Sequence, residues 1–227
     1  MKKIAFLLLV ALSMNTFAKK DISDKSNRIG FNLGFSANSV KFEGQTEQQT
    51  KNLTKVGGMI GLTFEHKFGK TFALETGVNF LNKGGRNKIQ SNIISNGGNS
   101  SLNFYSLDVP LIAKLYIGKK KIFNINFGGY ASYSYLIQLE TKEDFKYTAD
   151  VNKKEKNPED GSGNKMFKPF DAGINFGAEF ISRKGIGAGF KLNQGLIDAT
   201  NNKFGGALND KKYALHTGAQ LYMIFKF

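Results

Sequence analysis

Apolar and polar residues alternate one for one through eight stretches of this chain, and that period of two restricts its fold more than any other feature. The stretches are residues 28–42, 56–66, 71–81, 101–117, 121–140, 170–182, 185–195 and 213–227. In the last, Leu215, Thr217, Ala219, Leu221, Met223, Phe225 and Phe227 share one face, and His216, Gly218, Gln220, Tyr222, Ile224 and Lys226 share the other. The pleat of a strand separates such sets, and the turn of a helix mixes them. A strand at the end of a chain leaves backbone groups unpaired, and pairing it with the first strand removes both edges of the sheet.

The gaps between stretches are just as regular. Residues 43–55, 82–100, 141–169 and 196–212 are long connections, and 67–70, 118–120 and 183–184 are short ones, in strict alternation. In an up-and-down barrel alternate connections lie at the same end, so tight turns and both termini share one rim and large loops the other. The pattern predicts an all-β fold, an eight-stranded antiparallel up-and-down transmembrane β-barrel over residues 28–227. Asn157-Pro158 and Gly161-Ser162-Gly163 predict that the connection 141–169 is largely flexible. Pro110, which has no N–H, predicts a bulge or a lost ladder bond in the fourth strand.

Volume orients the two faces. The interior of an eight-stranded barrel is only just wide enough for its own side chains. One face of the strands carries Phe31, Leu62, Leu74, Phe127, Ile137, Phe176 and Leu221, and the other is mostly Gly, Asn, Ser and Ala with a few charges. The bulky face therefore points to lipid and the slender face fills the lumen. Arg28, Lys114, Lys191 and Lys226 share the slender face with Glu65, Glu75, Asp108, Asp171 and Glu179, which predicts a buried network of ion pairs and hydrogen bonds. Aromatic residues near the strand ends suit two interfacial girdles. These are Phe64, Phe68, Phe72, Phe123, Phe180, Phe225 and Phe227 at the turn rim, and Phe80, Phe104, Tyr105, Phe170 and Tyr213 at the loop rim.

Residues 1–18 combine Lys2 and Lys3, an apolar run over 4–12, and the small residues Thr16 and Ala18, which predicts a secretory signal peptide followed by a short lead, 19–27. That apolar run is too short to span a bilayer. With no cysteine in the chain, a lipid-modified cysteine, a disulfide framework and a thiolate metal site are excluded.

Several runs carry a family resemblance. Tyr105-Ser106-Leu107-Asp108-Val109-Pro110-Leu111-Ile112-Ala113-Lys114 resembles the Tyr-Leu-x-Ile-Pro-Leu-Leu-x-Lys strand of the PorT-like, porin-family outer-membrane β-barrels of Bacteroidota. Gly128-Gly129-Tyr130 is similar to that family's Gly-Pro-Tyr, with Gly in place of Pro, and Asp171-x-Gly173 followed by Gly177-x-Glu179 resembles its sixth-strand pattern. Gln194-Gly195-Leu196-Ile197-Asp198 resembles its Tyr-Gly-Leu-x-Asn-Ile, departing at the first and last two positions. Phe227 resembles the carboxy-terminal signature of outer-membrane barrels.

The resemblance implies a place in the cell outer membrane, with periplasmic termini and extracellular loops. It also implies insertion by the barrel-assembly machinery. The secretion role of PorT itself maps onto no particular residue here. The formal charge of +14 falls to +12 without the two lysines of the signal peptide. An exported chain of that charge meets membrane lipid and lipopolysaccharide phosphates, and no nucleic acid.

Signs of chemistry are few. Gly69-Lys70-Thr71 reads as a turn, because Phe64 stands where a phosphate-binding loop needs glycine. Gly185-x-Gly187-x-Gly189 is inward glycine at period two, with no helix to follow. His66 and His216 are the only histidines, and neither sits in a metal or nucleophile motif, so no cofactor is expected. His216 is expected inside the barrel near the loop rim with a hydrogen-bond partner, at the level where small outer-membrane acyltransferases and deacylases act on lipid A. The leading reading is a non-enzymatic barrel with a plugged polar interior and a structural or surface role. A narrow porin-like channel, a secretion-accessory barrel, a lipid A-modifying enzyme and a soluble secreted carrier stand as alternatives.

Overall fold

The computed structural model describes residues 25–42, 50–89, 95–145, 151–156, 167–200 and 214–227. The predicted signal peptide and most of the lead lie outside the described residues, as does Tyr213. Nine strands follow in chain order: β1 (Asn27–Phe42), β2 (Thr50–Phe68), β3 (Phe72–Ile89), β4 (Ser95–Ile117), β5 (Phe123–Phe145), β6 (Val151–Lys156), β7 (Phe170–Ile181), β8 (Ile186–Gly195) and β9 (Ala214–Lys226). Eight of them close into an antiparallel barrel in the order β4-β3-β2-β1-β9-β8-β7-β5, with β5 returning to β4. The seam is the pairing of the first strand with the last, from Gly30↔Lys226 to Phe42↔Ala214. It ends with the Phe227 amide donating to the Ile29 carbonyl at 2.8 Å.

A strand beyond the eight expected, β6, lies within the connection 141–169, while Asn157-Pro158 and Gly161-Ser162-Gly163, on which its expected flexibility rests, lie outside the described residues. β7 pairs with β5 only as far as Tyr133↔Phe170, while β5 runs on to Phe145. Beyond Tyr133 that edge of β5 would be bare, and β6 folds back along it from Gln138↔Lys156 to Glu143↔Val151. β2, β3 and β4 likewise extend further toward the loop rim than the alternation predicts.

The wall faces as volume requires. Leu62 and Leu221 are 62% and 63% exposed on the outside, whereas Glu75 and Lys191 are 1% and 5% exposed within. Two expected positions are wrong. Ile137 is buried, because between Tyr105↔Leu136 and Ser106↔Ser134 the ladder gains one residue on β5, Tyr135, and every later residue of that strand changes face. Phe104, expected in the loop-rim girdle, shares its phase with Ser106 and Asp108 and is buried inside. At Pro110 the bond is lost without a bulge: the β3–β4 ladder pauses between Thr76↔Leu111 and Asn79↔Asp108 in unchanged register. The Thr76 hydroxyl donates to the Pro110 carbonyl there, at 2.8 Å.

A charge in mid-wall discriminates the faces. Leu221→Arg is expected to cost about 2–4 kcal/mol in reversible unfolding from lipid, and Gln220→Arg on the same strand is expected to fail through crowding of the lumen instead, read as loss of heat-modifiable gel mobility.

Candidate functional site: the barrel interior

The interior polar residues come from every strand of the barrel, one pleat apart from the lipid-facing ones. At the turn end the Lys114 ammonium donates to Glu75 Oε2 at 2.7 Å and Glu179 Oε2 at 2.6 Å and lies 3.7 Å from Glu65 Oε2. Lys226 donates to Glu75 Oε2 at 2.7 Å and pairs with Glu65. Arg28 donates to Glu65 and to the Tyr116 hydroxyl, which itself donates to Glu65 Oε1 at 2.8 Å. Asn124 Nδ2 and the Tyr222 hydroxyl complete the shell of Glu179, at 3.2 and 3.0 Å.

Six of the nine residues read from the sequence thus meet in one cluster: Arg28, Glu65, Glu75, Lys114, Glu179 and Lys226. Lys191 lies beside it without an ion pair among the described residues, its Nζ 5.2 Å from the centre of the Tyr222 ring. Asp108 and Asp171 form a second centre, around Lys83. The Lys83 ammonium lies 2.9 Å from Asp108 Oδ2 and 3.5 Å from Asp171 Oδ2, donates to Ser132 Oγ at 3.0 Å, and sits 4.4 Å from the Tyr130 ring centre. Ser132 donates to Asp108, and Tyr130 to Asp171 Oδ2 at 3.0 Å.

Lys83 is absent from the sequence set because the third stretch was ended at residue 81. Its signal was present, since Asn79, Leu81 and Lys83 continue the inward phase of β3.

Glycines make room for the two interior tyrosines that orient these carboxylates. Gly189 lies opposite Tyr222, and a Cβ there would stand 2.6 Å from its ring. Gly173 lies opposite Tyr130, and a Cβ there would stand 2.7 Å from Cε1. Each ring lies over a bare backbone and aims its hydroxyl at a carboxylate.

Above the second centre the lumen turns apolar. Val40, Leu102, Phe104, Ile137, Phe167 and Ala199 form a buried cluster. Phe167 and Ala199 belong to connections rather than barrel strands, drawn together by the Phe167↔Thr200 bridge and by Lys168 N donating to the Ala199 carbonyl at 2.8 Å. His216 joins this cap edge-on to Phe104, ring centres 4.7 Å apart. Its Nδ1 has no hydrogen-bond partner, contrary to the expectation of a bonded interior histidine. His66 lies at the turn end, with Nδ1 2.6 Å from Asn27 Oδ1.

Interior charge is nearly balanced. Arg28, Lys67, Lys83, Lys114, Lys191 and Lys226 face Glu65, Glu75, Asp108, Asp171 and Glu179, all of them buried. Such an arrangement can cross-link strands across the lumen, and its hydroxyls beside carboxylates, Ser132 with Asp108 among them, are buried. Lys114→Met leaves Glu179 without a cation among the described residues and takes one of the cations from Glu65 and from Glu75, and is expected to cost about 3–5 kcal/mol. Lys191→Met removes a cation–π contact and is expected to cost about 2 kcal/mol or less. Urea unfolding in phospholipid micelles reads both.

The chain's resemblance to known proteins agrees with this geometry. A family model described as the outer membrane protein beta-barrel domain matches residues 17–201. Among solved structures, Ail, the attachment invasion locus protein of Yersinia pestis, is 10% identical over 89% of this chain and 99% of its own, with a TM-score of 0.41. Neisserial surface protein A is 8% identical over 89% and 98%, with a TM-score of 0.44. OprG from Pseudomonas aeruginosa is 14% identical over 89% and 96%, with a TM-score of 0.42. No curated protein sequence matches the chain. The family match runs through most of the barrel, and the chain belongs to the outer membrane protein β-barrel domain family, an outer-membrane β-barrel.

Proposed function

We propose that this protein is a closed, non-enzymatic barrel of the outer membrane with a structural or surface-contact role in the envelope. One observation carries the reading: the lumen is occupied at both ends. Lys114 and Lys226 knit Glu65, Glu75 and Glu179 across the turn end, and Phe104, Phe167 and His216 stack across the loop end. In this reading the signal peptide directs export, the barrel-assembly machinery inserts the chain, and tight turns and termini face the periplasm. The longer connections then project outside, where lipopolysaccharide and a surface or secretion-system partner meet them. The ordered motifs over residues 105–198 support a place among PorT-like barrels of Bacteroidota.

A narrow channel is the second reading, favoured by one observation. The side-chain oxygens of Asn32, Asn79, Asn126 and Asn175 are buried without a hydrogen-bond partner, and a file of water would satisfy them. Catalysis on lipid A has less support, because His216 sits against phenylalanine with no hydroxyl or carboxylate on Nδ1.

Reconstituted into planar bilayers, the protein is expected to give no single-channel steps, and steps abolished by an added solute would favour the channel. His216→Gln is expected to leave the lipid A mass spectrum of the host unchanged. Because the chain has no cysteine, sidedness is readable with single-cysteine variants. An impermeant maleimide is expected to label Lys156→Cys in intact cells, and Lys119→Cys only once the envelope is opened.

A further inference from the structure

The three tight turns are basic and hold no acid. Lys70 lies in the turn 69–71, Lys119, Lys120 and Lys121 in 118–122, and Arg183 and Lys184 in 182–185, with no Asp or Glu in any of them. All but Lys121, which is half-buried, are exposed. Among the described residues none of the six takes part in an ion pair. The loop-side end of β5 differs, mixing Glu140, Glu143 and Asp144 with Lys142.

The topology makes these turns neighbours. The Ile181 amide donates to the Ile122 carbonyl at 2.7 Å, which sets the Arg183–Lys184 turn against the triple-lysine turn. The Tyr116 amide donates to the Thr71 carbonyl at 2.7 Å, and Lys121 Nζ lies 3.4 Å from Thr71 Oγ1, which joins the Lys70 turn on the other side. Lys121 holds a left-handed backbone, φ 51°, and its Nζ donates to the Tyr116 carbonyl at 3.3 Å, so the turn's remaining cations project outward. The result is a run of basic turns along the rim, from the Lys70 turn through the triple-lysine turn to the Arg183–Lys184 turn, where the Gly185 carbonyl accepts from the Lys226 amide of the seam at 2.7 Å.

Immediately inside this run the outer wall exposes Phe68, Phe72, Phe123 and Phe180. Aromatic rings at strand ends favour the boundary between hydrocarbon and headgroups. Cations two to four residues beyond them therefore stand at the depth of lipid phosphates. Like charges crowded beside a low-dielectric slab repel one another unless anions are supplied, and among the described residues no ion pair supplies one to these six cations.

We propose that this run of turns is a binding surface for anionic glycerophospholipid headgroups, whose phosphates are held by Lys119, Lys120, Arg183 and Lys184 with Lys70 at the flank. Bound headgroups would fix the depth and tilt of the barrel. The proposal rests on the orientation given above, which the maleimide labelling at residue 119 reads separately.

The test uses the purified barrel in nanodiscs of phosphatidylcholine containing a minority of phosphatidylglycerol, with retained lipids counted by native mass spectrometry. Phosphatidylglycerol is expected at the protein at least about fivefold above its bulk share, the effect of one basic side chain at an anionic surface. The enrichment is expected to vanish in K119Q/K120Q/R183Q/K184Q and to persist in K88Q/K142Q/K153Q/K156Q, which removes the same charge at the opposite rim. Heat-modifiable mobility checks folding, and the milder K119Q/K120Q is expected to lose part of the enrichment should the quadruple variant not fold. No enrichment in the unsubstituted protein, equal loss in the loop-rim variant, or selective retention of lipid A by the turn cations in place of phosphatidylglycerol would overturn the proposal.

Discussion

Lys114 touches carboxylates from three other strands, Glu65 of β2, Glu75 of β3 and Glu179 of β7, and the rest of the wall is arranged around that contact. Its worth does not lie in raw stability. Taking each ion out of water costs several kcal/mol, about what mutual attraction returns. Register is where the ions decide. A slip of one residue in β4 would send Lys114 into lipid, at about 2–4 kcal/mol, and leave Glu179 without its cation and Glu75 with Lys226 alone. A slip of two keeps the faces but moves the ammonium about 7 Å along the strand, out of reach of all three carboxylates. Apolar alternation tolerates that second error, and the ion network does not.

The paired tyrosines extend the same constraint to the remaining strands. Tyr222 of β9 crosses Gly189 of β8 to reach Glu179 on β7, and Tyr130 of β5 crosses Gly173 of β7 to reach Asp171. A ring lying flat on a neighbouring strand needs that strand bare at the crossing point, so glycine is demanded by the aromatic rather than by any turn. This accounts for Gly173 and Gly189 without invoking backbone freedom. It also ties three adjacent strands, β9, β8 and β7, into one unit through Tyr222, and ties β5 to β7 through Tyr130.

How much of this was readable from residues alone divides by length scale. Closure, strand number and the exposed face of Leu62 and Leu221 follow from period two and from volume, which are properties of the whole wall. The third stretch was cut short because Lys83 and Gly84-Gly85 look like loop in composition, and a lysine centre went unnoticed with it. Ile137 was placed outside because alternation cannot count a bulge, and Tyr135 shifts the phase by one. The apolar cap was invisible for a further reason. Phe167 and Ala199 belong to connections with no periodicity, and only the closed barrel brings them above Phe104.

That cap separates two kinds of interior. Toward the turns the lumen is ionic and every barrel strand contributes a polar side chain, so change there propagates through the wall. Toward the loops, Phe104, Phe167 and Ala199 meet through dispersion contacts that tolerate repacking at a cost of order 1–3 kcal/mol. Connections joined to such a cap can change in sequence without disturbing the ions that set register. The abrupt change from Lys83 with Asp108 and Asp171 to Phe104 with His216 is where this chain passes from the one kind of interior to the other.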